Sequence, residues 1–139
     1  ASAPSSGEFR TAGAGRRALV LDDDPQSGAL LVDQLAVFGF VSERFERAED
    51  AMQLLLDRSG DVDLVVTDQD IPGMTGTEFC QALRQRDIDL PVVVYTGFSR
   101  DLNADSVAEQ GGNGFLSRPF GLRELDDCLA GLFIADPDA

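Results

Sequence analysis

The chain contains no histidine and no lysine. Without an imidazole it cannot carry a phosphohistidine of its own. All 11 basic residues are arginine, which points to a coding bias toward that residue. Only two cysteines occur, Cys80 and Cys128, on separate predicted helices and with no metal-ligand spacing between them. They read as small buried apolar side chains, and free thiols fit a reducing cytoplasm. No apolar run approaches the roughly 20 residues of a membrane span. Residues 1–17 have no apolar central stretch, so no signal peptide is visible. The segment is therefore expected to be cytoplasmic, without membrane contact of its own. Positive charge is also scarce: 25 acidic residues against 11 basic ones leave a net charge of −14. Such a surface repels a phosphate backbone and argues against nucleic acid as a direct partner.

At 139 residues the chain is expected to form one domain. Chains of this size bury roughly two-thirds of their unfolded surface. Residues 1–16 are rich in Ala, Ser and Gly and read as a flexible linker. The domain itself is placed at 17–134 and a short polar tail at 135–139. Strand and helix patterns alternate five times. Strands are expected at about 17–22, 40–46, 62–67, 91–95 and 114–117, and helices at about 26–39, 48–58, 76–86, 99–110 and 121–133. Leu30, Leu31, Leu35 and Phe38 of the first helix fall near helical spacing, and the second carries Ala51, Leu54, Leu55 and Leu56. The second strand is the least apolar and is placed at a sheet edge. Five β–α units of this length predict an α/β fold: a doubly wound parallel five-stranded sheet with helices on both faces.

Carboxylates gather where two of these strands end. Asp22 and Asp23 follow Ala18-Leu19-Val20-Leu21, and Asp68 follows Leu64-Val65-Val66-Thr67. If the strands are neighbours, the three acids meet at the C-terminal edge of the sheet, where open α/β sheets bind ligands. Two carboxylates about 4 Å apart repel by roughly 4 kcal/mol at an effective dielectric near 20. A cation relieves that repulsion, and oxygen-only ligation favours a hard ion, Mg²⁺ or Mn²⁺. Thr96-Gly97 and Arg118-Pro119-Phe120 close two further strands and bring a hydroxyl and a positive charge to the same edge. These are the parts needed to hold a phosphoryl group. Asp24-Pro25 reads as a helix entry, with Asp24 as N-cap.

Leu21-Asp22-Asp23-Asp24-Pro25, Thr67-Asp68-Gln69-Asp70-Ile71-Pro72-Gly73-Met74-Thr75-Gly76, Tyr95-Thr96-Gly97 and Arg118-Pro119-Phe120 occur in this order. With these four motifs, residues 17–134 resemble the receiver domain of two-component response regulators. The resemblance implies a flavodoxin-like strand order 2-1-3-4-5, with the switch point between strands one and three. It implies that Asp68 is the phosphoacceptor in a Mg²⁺-dependent reaction. Asp22, Asp23, Asp68 and the backbone carbonyl of Asp70 would then hold the metal. Thr96 would donate to a phosphoryl oxygen and move on activation together with the aromatic at Phe115. Pro119 would follow a cis bond that aims Arg118 at the site. Partners implied are a histidine kinase or a histidine phosphotransfer protein as donor, docking on the first helix, and a protein target. If the segment belongs to a hybrid sensor kinase, at its C-terminus, the parent is a histidine kinase. A stand-alone regulator is the alternative, and Thr96-Gly97-Phe98-Ser99 is nearer the hybrid style.

Arg118 departs from the pattern, because the family places lysine before this proline. The guanidinium keeps the charge but is larger and forked. It is read either as a working substitute or as the mark of a pseudo-receiver, an interaction module with impaired phosphorylation or switching. Tyr95 points away from Thr96 by strand alternation and is expected to take part in partner contact. Two other readings fail. Pro72 stands where an aspartyl-phosphate phosphatase of the haloacid dehalogenase type needs a hydroxyl. The same Asp68-Gln69-Asp70-Ile71-Pro72 run breaks the ligand alternation of an EF-hand.

Overall fold

The computed structural model describes residues 13–97 and 102–133. Five strands form one parallel sheet: β1 (Arg17–Leu21), β2 (Val41–Phe45), β3 (Leu64–Asp68), β4 (Val92–Thr96) and β5 (Gly114–Ser117). Five helices connect or follow them: α1 (Pro25–Val37), α2 (Ala48–Arg58), α3 (Gly76–Gln85), α4 (Ala104–Glu109) and α5 (Leu122–Phe133). The strand order is β2-β1-β3-β4-β5, the doubly wound flavodoxin-like arrangement. A two-residue antiparallel ribbon, Asp70–Ile71 against Met74–Thr75, follows β3 and lies outside the main sheet.

Alternation along the strands builds two cores. Ala18, Val20, Leu64, Val66, Val93 and Tyr95 face Leu31, Leu35 and Phe38 of the α1 segment and Leu125 and Leu129 of α5. Leu19, Leu21, Val65, Val92 and Val94 face Ala51 and Leu55 of α2, Phe79 and Leu83 of α3 and Val107 of α4. The central strands are apolar on both faces, as sheets covered by crossover helices require.

Helix boundaries follow capping chemistry. Asp24 caps α1 by accepting from the Gln26 amide at 3.1 Å and the Ser27 hydroxyl at 2.9 Å. Thr75 and Glu78 form a reciprocal capping box at the start of α3. The fourth helix, expected over 99–110, begins only at Ala104 and ends at Glu109: Asn103, extended, is its N-cap and accepts from the Ser106 amide, so Leu102 and Asn103 are not helical; residues 98–101 lie outside the described residues.

Not every apolar helix residue turns inward: Leu30 of α1 is 59% exposed, and Leu56 of α2 is 53% exposed. Each lies about 100° around its helix from the buried Leu31 or Leu55. Residues 13–16, expected to be linker, form a turn docked on the domain: the Gly13 amide donates to the Phe38 carbonyl at 2.8 Å, and Arg16 lies over the Phe133 ring. Residues 1–12 and the expected tail lie outside the described residues. Among the described residues no helix is long and apolar enough to cross a membrane.

Candidate functional site

Parallel pairing of β1 with β3 puts Leu21 level with Thr67, so the residues that follow each strand's apolar run share one edge. Asp22, Asp23 and Asp68 converge there, with ligand oxygens all within 4.8 Å of one another. Asp22 is fully buried, Asp68 is 8% exposed and Asp23 faces solvent. The strand order places the crevice between β1 and β3, the topological switch point.

Each acid is held differently. Asp22 Oδ1 accepts from the Asp24 amide at 2.9 Å. Its Oδ2 accepts from the Tyr95 hydroxyl at 2.5 Å and from Arg118 Nη2 at 3.0 Å. Asp68 Oδ1 accepts from the Asp70 amide at 3.1 Å. Its Oδ2 lies 3.8 Å from Arg118 Nη2, so the guanidinium stands nearer Asp22 than Asp68. Burial raises the affinity of the Asp68 carboxyl for its proton, and the charge of Asp22 adds to this. The Asp70 amide and Arg118 pull the other way.

The loop after β3 is shaped by close backbone approach. A Cβ on Gly76 would stand 2.6 Å from the Asp68 carbonyl oxygen, so only glycine fits there. Gly73 has a φ of 90°, which glycine adopts without strain. Gln69 ties the loop to α3: its Oε1 accepts from the Thr77 amide at 3.0 Å and its Nε2 donates to Thr77 Oγ1 at 3.2 Å.

Thr96 is buried at the end of β4, one strand from Asp68. Phe115 of β5 is half-buried against the core that also holds Val94 and Val107. The Arg118–Pro119 peptide bond is cis, and the Arg118 amide donates to the Thr96 carbonyl at 2.8 Å. What is seen of Asp70 is its amide on Asp68.

Tyr95 corrects one expectation. It does point away from Thr96, but it is 1% exposed and makes no surface for a partner. Its strand face is covered by α1 and α5, and the ring lies at the acid edge. Arg118 sits over the Tyr95 ring, 4.6 Å from its centroid. Sequence reading also passes over Arg44 and Gln69. Arg44 Nη1 donates to the Asp22 carbonyl at 2.9 Å, and its aliphatic stem packs where a Gly28 Cβ would stand. Their signal in the sequence is weak: Arg44 looks like any edge-strand cation and Gln69 like any turn residue.

Comparison with known proteins agrees with this geometry. The response regulator receiver domain family matches residues 18–130. The uncharacterized transcriptional regulatory protein YrkP of Bacillus subtilis is 33% identical over 109 residues, 78% of this chain and 46% of that protein. The sensor histidine kinase RcsC of Salmonella typhi is 33% identical over 112 residues, 81% of this chain and 12% of that protein. The chain thus spans less than half the length of these curated relatives. A response regulator receiver domain protein from Clostridium thermocellum superposes with a TM-score of 0.77 at 18% identity, covering 85% of this chain and 94% of that one. An acid trio at the switch point of a 2-1-3-4-5 sheet, matched along nearly the whole described chain, shows that it belongs to the response regulator receiver domain family of two-component signal transduction.

Proposed function

We propose that the domain takes a phosphoryl group from a phosphohistidine outside these 139 residues onto Asp68 in a Mg²⁺-dependent reaction. The observation that carries this is the trio of Asp22, Asp23 and Asp68 within 4.8 Å, at the edge where Thr96 and Arg118 also end. Three carboxylates and no nitrogen or sulfur donor fit a hard divalent cation. Asp22, Asp23, Asp68 and the Asp70 carbonyl are the groups to hold it. When bound, the ion neutralises charge on the transferring phosphoryl oxygens.

The chain's own residues do the rest. An Asp68 oxygen attacks phosphorus, the P–N bond to the donor imidazole breaks, and the nitrogen leaves with the electron pair. The product is an acyl phosphate on Asp68. Thr96 offers a hydroxyl to one phosphoryl oxygen and Arg118 a charge to another. Phe115 is the aromatic that follows Thr96 in the switch. With no histidine in the chain, the donor is a histidine kinase or a histidine phosphotransfer protein. Leu30 supports docking beside α1: it is exposed and lines, with Leu31, Pro119 and Phe120, a cavity of about 220 Å³. A cytoplasmic location, within a hybrid kinase or in a stand-alone regulator, is part of the same proposal.

The test is phosphorylation by acetyl phosphate with and without Mg²⁺, read by intact mass. Wild type should gain one phosphoryl group only with Mg²⁺, and Asp68→Asn none. No gain under conditions that label a control receiver points instead to a pseudo-receiver that acts by binding alone.

A further inference from the structure

We propose that Tyr95 is a positioning residue of the acid site: its hydroxyl fixes the Asp22 carboxylate and its ring seats the Arg118 guanidinium, which stands on Asp22 and leaves Asp68 free to react. The inference rests on the phosphoacceptor reading above and adds a residue to it.

The argument starts from burial. A buried phenol needs a hydrogen-bond partner, and Tyr95 at 1% exposure finds it in Asp22 Oδ2 at 2.5 Å. So short a contact is that of a charge-assisted bond to a carboxylate. Arg118 shares the same oxygen and lies over the ring face, 4.6 Å from the centroid. Phe120 meets the ring edge-on, with centroids 6.0 Å apart, and confines it.

A forked guanidinium among three carboxylates has a choice of partners. Its preferred geometry is a bidentate fork on one of them. A fork on Asp68 would occupy the oxygens that must attack phosphorus. The structure shows the other outcome: 3.0 Å to Asp22 and 3.8 Å to Asp68. The ring beneath the guanidinium plane and the hydroxyl beside it both draw Arg118 to the Asp22 side. A compact ammonium has no plane to seat, so an arginine here needs a platform that a lysine would not. Asp22 gains as well, since with Asp24 on Oδ1 and Tyr95 on Oδ2 its carboxylate is held in one orientation. Losing a partner that orients a metal-binding carboxylate typically costs about 10- to 100-fold in metal affinity.

Two substitutions separate the two jobs. Tyr95→Phe removes the hydroxyl and keeps the ring, and Tyr95→Leu removes both. Tyr95→Phe should weaken Mg²⁺ binding by titration calorimetry about tenfold. Tyr95→Leu should also slow labelling by acetyl phosphate at saturating Mg²⁺, and Tyr95→Leu with Arg118→Lys should recover much of that rate. Loss of packing alone would not be rescued by lysine. Tyr95 is the only tyrosine and there is no tryptophan, so ultraviolet emission reports this ring directly. Asp22→Asn in chelator should brighten it, because the quenching carboxylate is gone; unchanged emission would overturn the contact.

Wild-type Mg²⁺ affinity in Tyr95→Phe overturns the role of the hydroxyl, and equal loss in the leucine variant with either cation overturns the role of the ring. In both cases wild type still binds Mg²⁺ and is labelled, so the function stands and only the inference fails. If wild type does neither, the function itself fails and the inference falls with it. Should Tyr95→Leu not fold, Tyr95→Phe, which removes a single oxygen atom, still decides the role of the hydroxyl, and Tyr95→Met, with and without Arg118→Lys, takes the place of the leucine variant for the ring.

Discussion

At the scale of single residues the site is a balance of like charges. Asp22 is paired from within, by a hydrogen bond from Tyr95 and the charge of Arg118, while Asp23 faces solvent across the same 4.8 Å cluster. Asp23→Asn removes one repelling charge. It should stabilise the domain in chelator by about 1 kcal/mol, once solvent screening of the exposed Asp23 is allowed for. The same substitution should diminish the stabilisation gained on adding Mg²⁺. Urea unfolding with chelator and with Mg²⁺ checks both signs, and a loss of stability in chelator would show that Asp23 is held by something other than its neighbours' repulsion. Arg118→Ala acts oppositely. It leaves Asp22 buried without its cation, and should cost about 1–3 kcal/mol in chelator by the same unfolding measurement. The acids were legible because a carboxylate after an apolar strand has no packing reason to be there. The partnership of Tyr95 with Asp22 was not, since alternation tells which way a side chain points and not what it meets across 73 residues of chain.

At the scale of elements, periodicity located the five strands of the main sheet and the five helices to within a few residues wherever the structure describes them, and passed over the short ribbon after β3. It did less well on faces. Runs such as Leu30-Leu31 and Leu54-Leu55-Leu56 contain more leucine than one helix face can bury, and nothing in the run says which one turns outward. Long-range clamps were invisible as well. Arg84 of α3 donates to the carbonyls of Ile88 and Leu90 at 2.7 Å each, and to the Gly111 carbonyl at 2.9 Å and Asn113 Oδ1 at 2.9 Å. It thus ties the end of α3 to the turns before β4 and β5. Arg84→Met keeps the aliphatic stem and removes every donor. It should lower unfolding free energy by about 2–4 kcal/mol in urea, since several half-buried carbonyls lose their partner together. The thiol of Cys128 on α5 makes a second prediction at this scale. Burial pushes it up to about 11, against an ordinary value of 9.0. At pH 8 its thiolate fraction, and its rate of maleimide labelling, should be about a hundredfold below that of the unfolded chain. Labelling at equal rates with and without urea would contradict the packing of α5 against the sheet.

At the scale of the whole molecule, two different cation effects act on one acidic chain. A net charge of −14 makes the folded state repel itself, so ordinary salt should stabilise the domain by screening. That effect is diffuse and is largely spent once the Debye length falls to about 8 Å, near 0.15 M salt. The acid trio is different: its oxygens lie within 4.8 Å, well inside that length, and Asp22 and Asp68 are buried. An ion held there is stabilised by ligation and is screened only weakly. Urea midpoints should therefore rise with NaCl and level off, then rise again when MgCl₂ is added in 0.5 M NaCl. The second rise should follow binding linkage, reaching about 2.7 kcal/mol when free Mg²⁺ is a hundred times its dissociation constant. Asp68→Asn should keep the first rise and lose most of the second, because it removes one ligand from the cluster and only one of 25 acidic charges from the surface. If Mg²⁺ adds nothing in high salt, its action on this chain is only that of a screening ion, and the acids are held by Arg118 and the protein's own hydrogen bonds.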